Sequence, residues 1–518
     1  MQQAPDTPRP VAIFDTSLRD GEQAPGFSMR PEQKLALAHA LVRLNVDVME
    51  VGFAAASPGD AEAVRLIAEE IGTDPDGPAI CSLARATEGD VEAAERALAP
   101  AAKNRLHLFF GTSDLHLAAK HRMEKPEALA TIERAIRMAR GRFSEIEFSA
   151  EDALRTDPAF LREAMQCAAE AGADVLNVPD TVGYTSPEEI GAVFADLVAN
   201  VARPDHVIFS THNHDDLGMA VANSLAAVRA GAGQVECTIN GIGERAGNCA
   251  LEEVVMALKT RPDHYRADTR VNTRELFAAS RLLGETTGNM PPRNKAIVGR
   301  NAFAHEAGIH QHGVLADRRT YEIMSPEDIG LPSNALVLGK HSGKHALRAR
   351  LEALGHDLGG NRFEEIYSGF KSLADTKREV TDNDLCDLVA EDGRGHAWEL
   401  VRVEMRTGTK ANAKPTAKVT LDHRDRGRLT AIGHGTGPFE ALTEAFCVAA
   451  EVEGTLDSVD AHQLSREMEI EVGLTVDGQT ITGRSQHTDV VIAAAEALLA
   501  AFNNHERMVA SPRLADAA

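Results

Sequence analysis

The feature that most constrains the fold of this chain is a rhythm. Over roughly its first 270 residues, eight short β-type runs alternate with Ala/Leu/Glu-rich stretches of helical spacing. The runs fall at 11–14, 46–51, 79–84, 105–110, 144–149, 173–178, 206–211 and 234–239, with stretches such as Pro31 to Leu44 and Ala61 to Ile71 between them. Eight alternations in about 250 residues are the number and length of a (β/α)8 barrel. An open doubly wound sheet shows fewer repeats and a glycine fingerprint after its first strand. Here the first run leads instead into Asp15-Thr16-Ser17-Leu18-Arg19-Asp20-Gly21-Glu22-Gln23.

Beyond the barrel the pattern changes twice. Residues 288–299 are rich in Gly, Pro and Asn and read as a linker, and 301–385 are His-rich with a mostly helical pattern. From about residue 398 the chain alternates in strand fashion: Trp398 to Met405, Lys414 to Leu421 and Arg428 to Ile432, then a helix from about Pro438. Strands near Met468 to Val476 and Gln479 to Arg484 follow, joined by the hairpin signal Asp477-Gly478, and a helix from about Asp489 to Phe502 closes the round. The expected class is α/β: a TIM barrel over 1–275, helical linker subdomains over 276–388, and an α+β domain of two similar β-then-α units over 389–518.

Composition excludes several classes. At 518 residues, 43% hydrophobic and 25% charged, the chain has material for large cores and more than one domain. A net charge of −24 argues against a nucleic-acid partner, because phosphate binding needs a clustered basic surface. The six cysteines are scattered without a C-x-x-C pair, as in reduced cytosolic thiols. The sequence shows no signal-peptide core and no run of the ~18 apolar residues needed to cross a membrane. A cytoplasmic protein is expected.

Barrel sites are built at the carboxyl ends of the strands. Asp15 ends the first run, and His212 and His214 end the seventh, two residues apart and so on one face. Strands one and seven lie near each other in a closed barrel, so these three groups can hold a divalent cation. The Gly-rich loop Gly241 to Asn248 follows the eighth run, and Asn248 offers an amide oxygen as a fourth ligand. Two imidazoles with oxygen ligands suit zinc, manganese, cobalt or magnesium. Arg19 is the candidate electrophilic stabiliser, its alternative being an ion pair with Asp20 or Glu22. His107, Ser149, Glu151 and Thr181 fall at positions facing the mouth, and Glu147, Ser149 and Glu151 share one side of the pleat. Three other motifs fail: His305-Glu306…His310 has the wrong metalloprotease spacing, Gly339 to Lys344 lacks the phosphate-loop register, and Gly433 to Gly437 is not G-x-G-x-x-G.

Four stretches, FDTSLRDGEQAPG, THNHDDLGMAVANSLAAVRAGAGQVECTINGIGERAGN, AFAHEAGIHQHGV and GKHSGKHAL, together resemble the 2-isopropylmalate synthase family, which also contains homocitrate and citramalate synthases. The resemblance runs over nearly the whole chain, and GHGTGPFEAL and GRSQHTDVV are similar to the family's leucine-sensing domain. It implies a Claisen-type condensation of acetyl-CoA with 3-methyl-2-oxobutanoate. Asp15, His212, His214 and Asn248 would hold manganese or magnesium (zinc or cobalt as alternatives), with potassium as activator. Arg19 would bind the keto oxygen, and Arg19, His107, Ser149 and Thr181 would contact substrate. Glu151, His310 and Tyr321 match residues that the family associates with proton transfer. Leucine inhibition and a homodimer are implied, with no nucleic-acid or membrane partner.

Small Ser149, with His107, leaves room for a branched substrate. His312 stands where the family usually reads Gly-Ile-His-Gln-Asp-Gly, which bears on the tuning of His310. The alternatives are citramalate or homocitrate synthase, a metal-dependent C–C lyase of the same barrel group, or a leucine sensor whose barrel has gone silent.

Overall fold

The computed structural model describes residues 8–305, 310, 313–314, 316–331, 338, 342–354, 356, 358–376, 380, 382–389, 397–408, 414–464 and 467–510. Glu306, His312 and the stretch 339–341, which the sequence singled out, lie outside the described residues. The chain forms two compact units, Met1–Ala304 with Glu322–Asn334, and His305–Tyr321 with Ala335–Ala518.

The first unit is a closed parallel barrel. Its strands are β1 (Ala12–Asp15), β2 (Val48–Glu50), β3 (Ala79–Arg85), β4 (Asn104–Gly111), β5 (Glu145–Glu151), β6 (Val175–Asp180), β7 (Ile208–Asn213) and β8 (Gln234–Cys237). Each pairs with the next, and β1 pairs with β8 from Ala12↔Gln234 to Asp15↔Cys237, which closes the ring. The eight outer helices are α1 (Pro31–Leu44), α2 (Pro58–Glu70), α3 (Glu88–Leu98), α4 (Lys125–Ala139), α5 (Pro158–Ala171), α6 (Pro187–Asn200), α7 (Ala220–Ala230) and α8 (Leu251–Thr260).

Local chemistry starts and stops these helices as the sequence dictates. Ser57, Asp157 and Ser186 accept the Asp60, Phe160 and Glu189 amides at the heads of α2, α5 and α6, each followed by proline. Gly172, at φ +109°, ends α5 in a conformation that glycine adopts freely. Parallel strands covered on both faces must be apolar outward. Accordingly Ile13, Ile80, Leu106, Ile146, Leu176 and Phe209 are fully or almost fully buried in the core shared with the helices.

The barrel unit runs past the boundary expected at residue 275. Helix α9 (Leu276–Thr287) is tied to α1 through Gln33 Nε2, which donates to Thr286 O at 3.2 Å. Ile329, fully buried, joins the same core.

In the second unit, α10 (Lys344–Ala353), α11 (Gly360–Thr376) and α12 (Asp382–Val389) share a small core that includes Leu347, Phe363, Phe370 and Leu385. The remainder is a β-β-β-α pattern made twice. Strands β9 (Trp398–Arg406), β10 (Thr416–His423) and β11 (Gly427–His434) precede α13 (Pro438–Ala450). Strands β12 (Gly454–Leu464), β13 (Glu467–Val476) and β14 (Gln479–His487) precede α14 (Val490–Ala510). Both sheets are antiparallel with the middle strand central. The Asp477-Gly478 hairpin forms with both residues at positive φ, 48° and 80°. Strand β12 was not expected from the sequence: it is a sheet edge written GTLDSVDAHQL, with too few apolar residues to show a period of two.

Candidate active site and metal centre

The mouth of the barrel, at the carboxyl ends of the strands, opens into a cavity of about 350 Å³. Arg19, His107, Ser149, Glu151, Thr181, His212 and His214 line it, all of them read from the sequence. The structure adds Asp20, Lys120, Glu236 and Arg245.

The carboxylate that the structure brings to the two imidazoles is Asp20 and not Asp15. Asp15 is fully buried, and its two carboxylate oxygens accept from Ser17 N and Ser17 Oγ, both at 2.9 Å. Burial, only partly offset by those bonds, pushes its pKa up to about 7, and it acts as a structural acceptor. Ser17 to Gly21 then wind into a wide π-helical turn, in which Thr16 Oγ1 accepts from Asp20 N at 3.2 Å. That turn carries Asp20 to the imidazoles. Asp20 Oδ2 lies 3.7 Å from His212 Nε2 and 3.9 Å from His214 Nε2, and the two Nε2 atoms are 3.2 Å apart. Asn248 Nδ2 donates to Asp20 Oδ2 at 2.8 Å, leaving its buried Oδ1 without a partner.

These donors fit a divalent cation. Metal–ligand bonds of ~2.0–2.2 Å put neighbouring donor atoms ~3 Å apart, as the two imidazole nitrogens are. Burial lowers the pKa of both histidines, that of His214 to about 4, so each offers a lone pair near neutral pH. Burial would raise Asp20, but the Arg19 guanidinium, helped by the Asn248 amide, outweighs it and keeps the carboxylate ionised. Glu236 Oε2 stands 3.0 Å behind His212 Nδ1, where a carboxylate steadies a ligating ring.

Arg19 is fixed from two sides. Its Nε donates to Glu50 Oε2 at 2.6 Å and its Nη1 to Asp20 Oδ1 at 2.5 Å. Burial would lower its pKa, but Glu50 and Asp20 raise it, so the guanidinium stays charged. Glu50, which the sequence reading missed, is a fully buried hub that also accepts from Thr16 Oγ1 at 2.6 Å and His107 Nδ1 at 2.8 Å. Burial opposes a charged His107, yet Glu50 raises its pKa to about 9. The imidazolium therefore donates Nε2–H to Ser149 Oγ at 2.7 Å, and Asn177 Nδ2 donates to the same oxygen at 2.6 Å. With both acceptances filled, the Ser149 proton is free to be donated elsewhere. Glu147, one pleat below Ser149, pairs with Arg105 Nη1 at 3.0 Å and Gln234 Nε2 at 2.8 Å, in a buried polar floor.

Glu151 ends β5 at the rim, where Lys120 Nζ reaches both its oxygens at 2.7 and 2.5 Å. Thr181 Oγ1 accepts from Asp152 N at 2.9 Å. His310 and Tyr321 belong to the second unit, with ring centroids 4.5 Å apart. The signal that was missed lay in plain view: Asp20 sits beside Arg19 in the same motif, but period-two reasoning along β1 selects its last strand residue instead.

Family models cover the chain in series. An HMGL-like model matches residues 10–283, a homocitrate synthase post-HMGL domain-like model 297–378, and a LeuA allosteric (dimerisation) domain model 379–506. A 2-isopropylmalate synthase from Aquifex aeolicus is 50% identical over 507 residues, 95% of this chain and 95% of that one. Another from a Nostoc species is 46% identical over 512 residues, 96% of each chain.

Proposed function

The chain belongs to the 2-isopropylmalate synthase family of HMGL-like proteins, and from that premise we propose that it condenses acetyl-CoA with 3-methyl-2-oxobutanoate. The products are 2-isopropylmalate and CoA, in the first committed step toward leucine. The observation that carries this reading is the convergence of Asp20, His212, His214 and Asn248 beside a twice-anchored Arg19 in one cavity.

A bound divalent cation, manganese or magnesium with zinc or cobalt as alternatives, supplies Lewis-acid polarisation of the keto group. Asp20, His212, His214 and Asn248 would hold it, while both Asp15 oxygens are taken by Ser17. Arg19 meets the negative charge that grows on the keto oxygen, an interaction stronger in the transition state than in the ground state. The Ser149 hydroxyl, set by His107 and Asn177, donates to substrate, and Thr181 flanks it. Glu151 takes the methyl proton of the acetyl group, with His310 as the other candidate base and Tyr321 assisting proton transfer. The resulting carbanion attacks the keto carbon, and water then cleaves the thioester.

The LeuA-type domain is read as the leucine-binding brake and as the seat of a homodimer. Potassium is read as an activator. No helix among the described residues is long and apolar enough to cross a membrane, and the cytoplasm is the proposed compartment. The test is CoA release from acetyl-CoA with a panel of 2-oxo acids, with and without leucine. Highest kcat/KM for 3-methyl-2-oxobutanoate is expected. Preference for pyruvate or 2-oxoglutarate would instead make the chain a citramalate or homocitrate synthase.

A further inference from the structure

The turn leaving β5 holds Asp152 in the left-handed region, at φ 64° and ψ 36°. A side chain other than glycine stays there only where its surroundings hold it, although aspartate resists less than most. Asp152 is 1% exposed and does not line the cavity, yet it sits between two residues that matter to it. It directly follows Glu151, and its backbone N–H donates to Thr181 Oγ1 at 2.9 Å. Its carboxylate ties down the neighbouring loops: Oδ2 accepts from Ser113 Oγ at 2.5 Å and Oδ1 from Arg155 Nε at 2.7 Å. Its carbonyl accepts from Thr156 Oγ1 at 2.9 Å. The His116 ring lies near both acids, with Nδ1 3.6 Å from Glu151 Oε2 and Nε2 3.8 Å from Asp152 Oδ2.

We infer that Asp152 is a positioning residue of the catalytic apparatus: its left-handed turn, anchored on Ser113, Arg155 and Thr181, aims Glu151 into the barrel mouth by locking the loops after β4, β5 and β6 together. The inference rests on the reading of Glu151 as the group that takes the methyl proton. The turn has to bend the chain away at once after Glu151. A residue in ordinary β or α backbone at this position would send the following segment elsewhere and part Asp152 from Arg155 and Thr156. Ser113 and Arg155 keep the turn shut from the side chain, and Thr181 from the backbone.

The test is a mutant cycle in the full-length protein with saturating Mn2+: Asp152→Asn, Asp152→Gly, Glu151→Gln, and Glu151→Gln with Asp152→Gly. Glycine accepts the left-handed backbone but brings no anchor, and asparagine accepts it and keeps an acceptor for Ser113. Expected is a fall in kcat of about 10²-fold for Asp152→Gly, the typical cost of misplacing a group by about 1 Å. Asp152→Asn should lose about tenfold less, with Mn2+ affinity and the KM for the 2-oxo acid unchanged in both. The double variant should be no slower than Glu151→Gln alone, because both changes disable one group. Additive losses would overturn the inference, as would a lowered melting temperature with kcat intact. Full activity in Glu151→Gln would overturn the base assignment itself, and this inference with it. Should Asp152→Gly fail to fold, Asp152→Asn against Ser113→Ala completes the cycle, with the same non-additivity required.

Discussion

Asp15 and Asp20 stand five residues apart in one motif and have opposite surroundings. Asp15 spends both oxygens on Ser17, whereas Asp20 keeps Oδ2 turned toward two imidazoles. Asp20→Asn should therefore weaken Mn2+ binding more than the roughly 10–100-fold that loss of a supporting residue costs. Asp15→Asn should leave Mn2+ affinity within about twofold while lowering stability by about 1–3 kcal/mol, the cost of breaking a buried hydrogen-bonded group. Calorimetric titration and thermal melts separate the two. Arg19→Lys keeps the charge but not the planar fork between Glu50 and Asp20, so kcat should fall about 10²–10³-fold with the fold intact.

Two buried groups in the barrel also set a pH dependence. His107 is raised to about 9 against burial by Glu50, and Glu147 to about 8 by burial and Glu236. Both bind protons more tightly folded than unfolded, so the stability they give is complete below their unfolded values and fades as pH rises through 8 to 9. The melting temperature of the metal-free protein should drop from about pH 6 to pH 9, and Glu147→Gln should flatten that slope. An unchanged slope would show that Glu147 does not titrate there.

At the scale of elements, all eight barrel strands were legible, because strands buried on both faces must be apolar runs and their helices carry the compensating polar face. The site was legible where the strand pleat dictates it: Ser149 and Glu151 fall on the cavity side, with Glu147 in the floor below. It was illegible where irregular backbone intervenes. The π-helical turn that delivers Asp20 and the left-handed Asp152 have no periodic signature, and Glu50 lies inside a run that reads as core. Strand β12 escaped because an edge strand need not be apolar. The terminal domain also shows a device that pattern alone hides. In each repeat a glycine of the last strand lies against its helix: a Cβ on Gly433 would meet Ala445 N, and one on Gly483 would meet Ala501 N, both closer than 2.5 Å. Gly433→Ala or Gly483→Ala should cost about 1–3 kcal/mol through overpacking, read as an earlier melt of this domain.

At the scale of the molecule, the barrel holds every residue proposed for binding the cation and the keto acid, and the βββα pair holds none of them. Deleting residues beyond about 390 should therefore keep CoA-releasing turnover and abolish its inhibition by leucine. Complete loss of turnover in that truncation would mean that the terminal domain also supports the catalytic fold.

The proposed cation donors hang from the turn after β1, from the end of β7 and from the loop after β8, and the pairing of β8 with both β1 and β7 draws them into one place. A polypeptide still being made on the ribosome cannot assemble this set until Asn248 has emerged from the exit tunnel. Uptake of Mn2+ by stalled nascent chains of graded length should thus switch on abruptly past that point, so that the ion itself reports the moment at which the ring snaps shut.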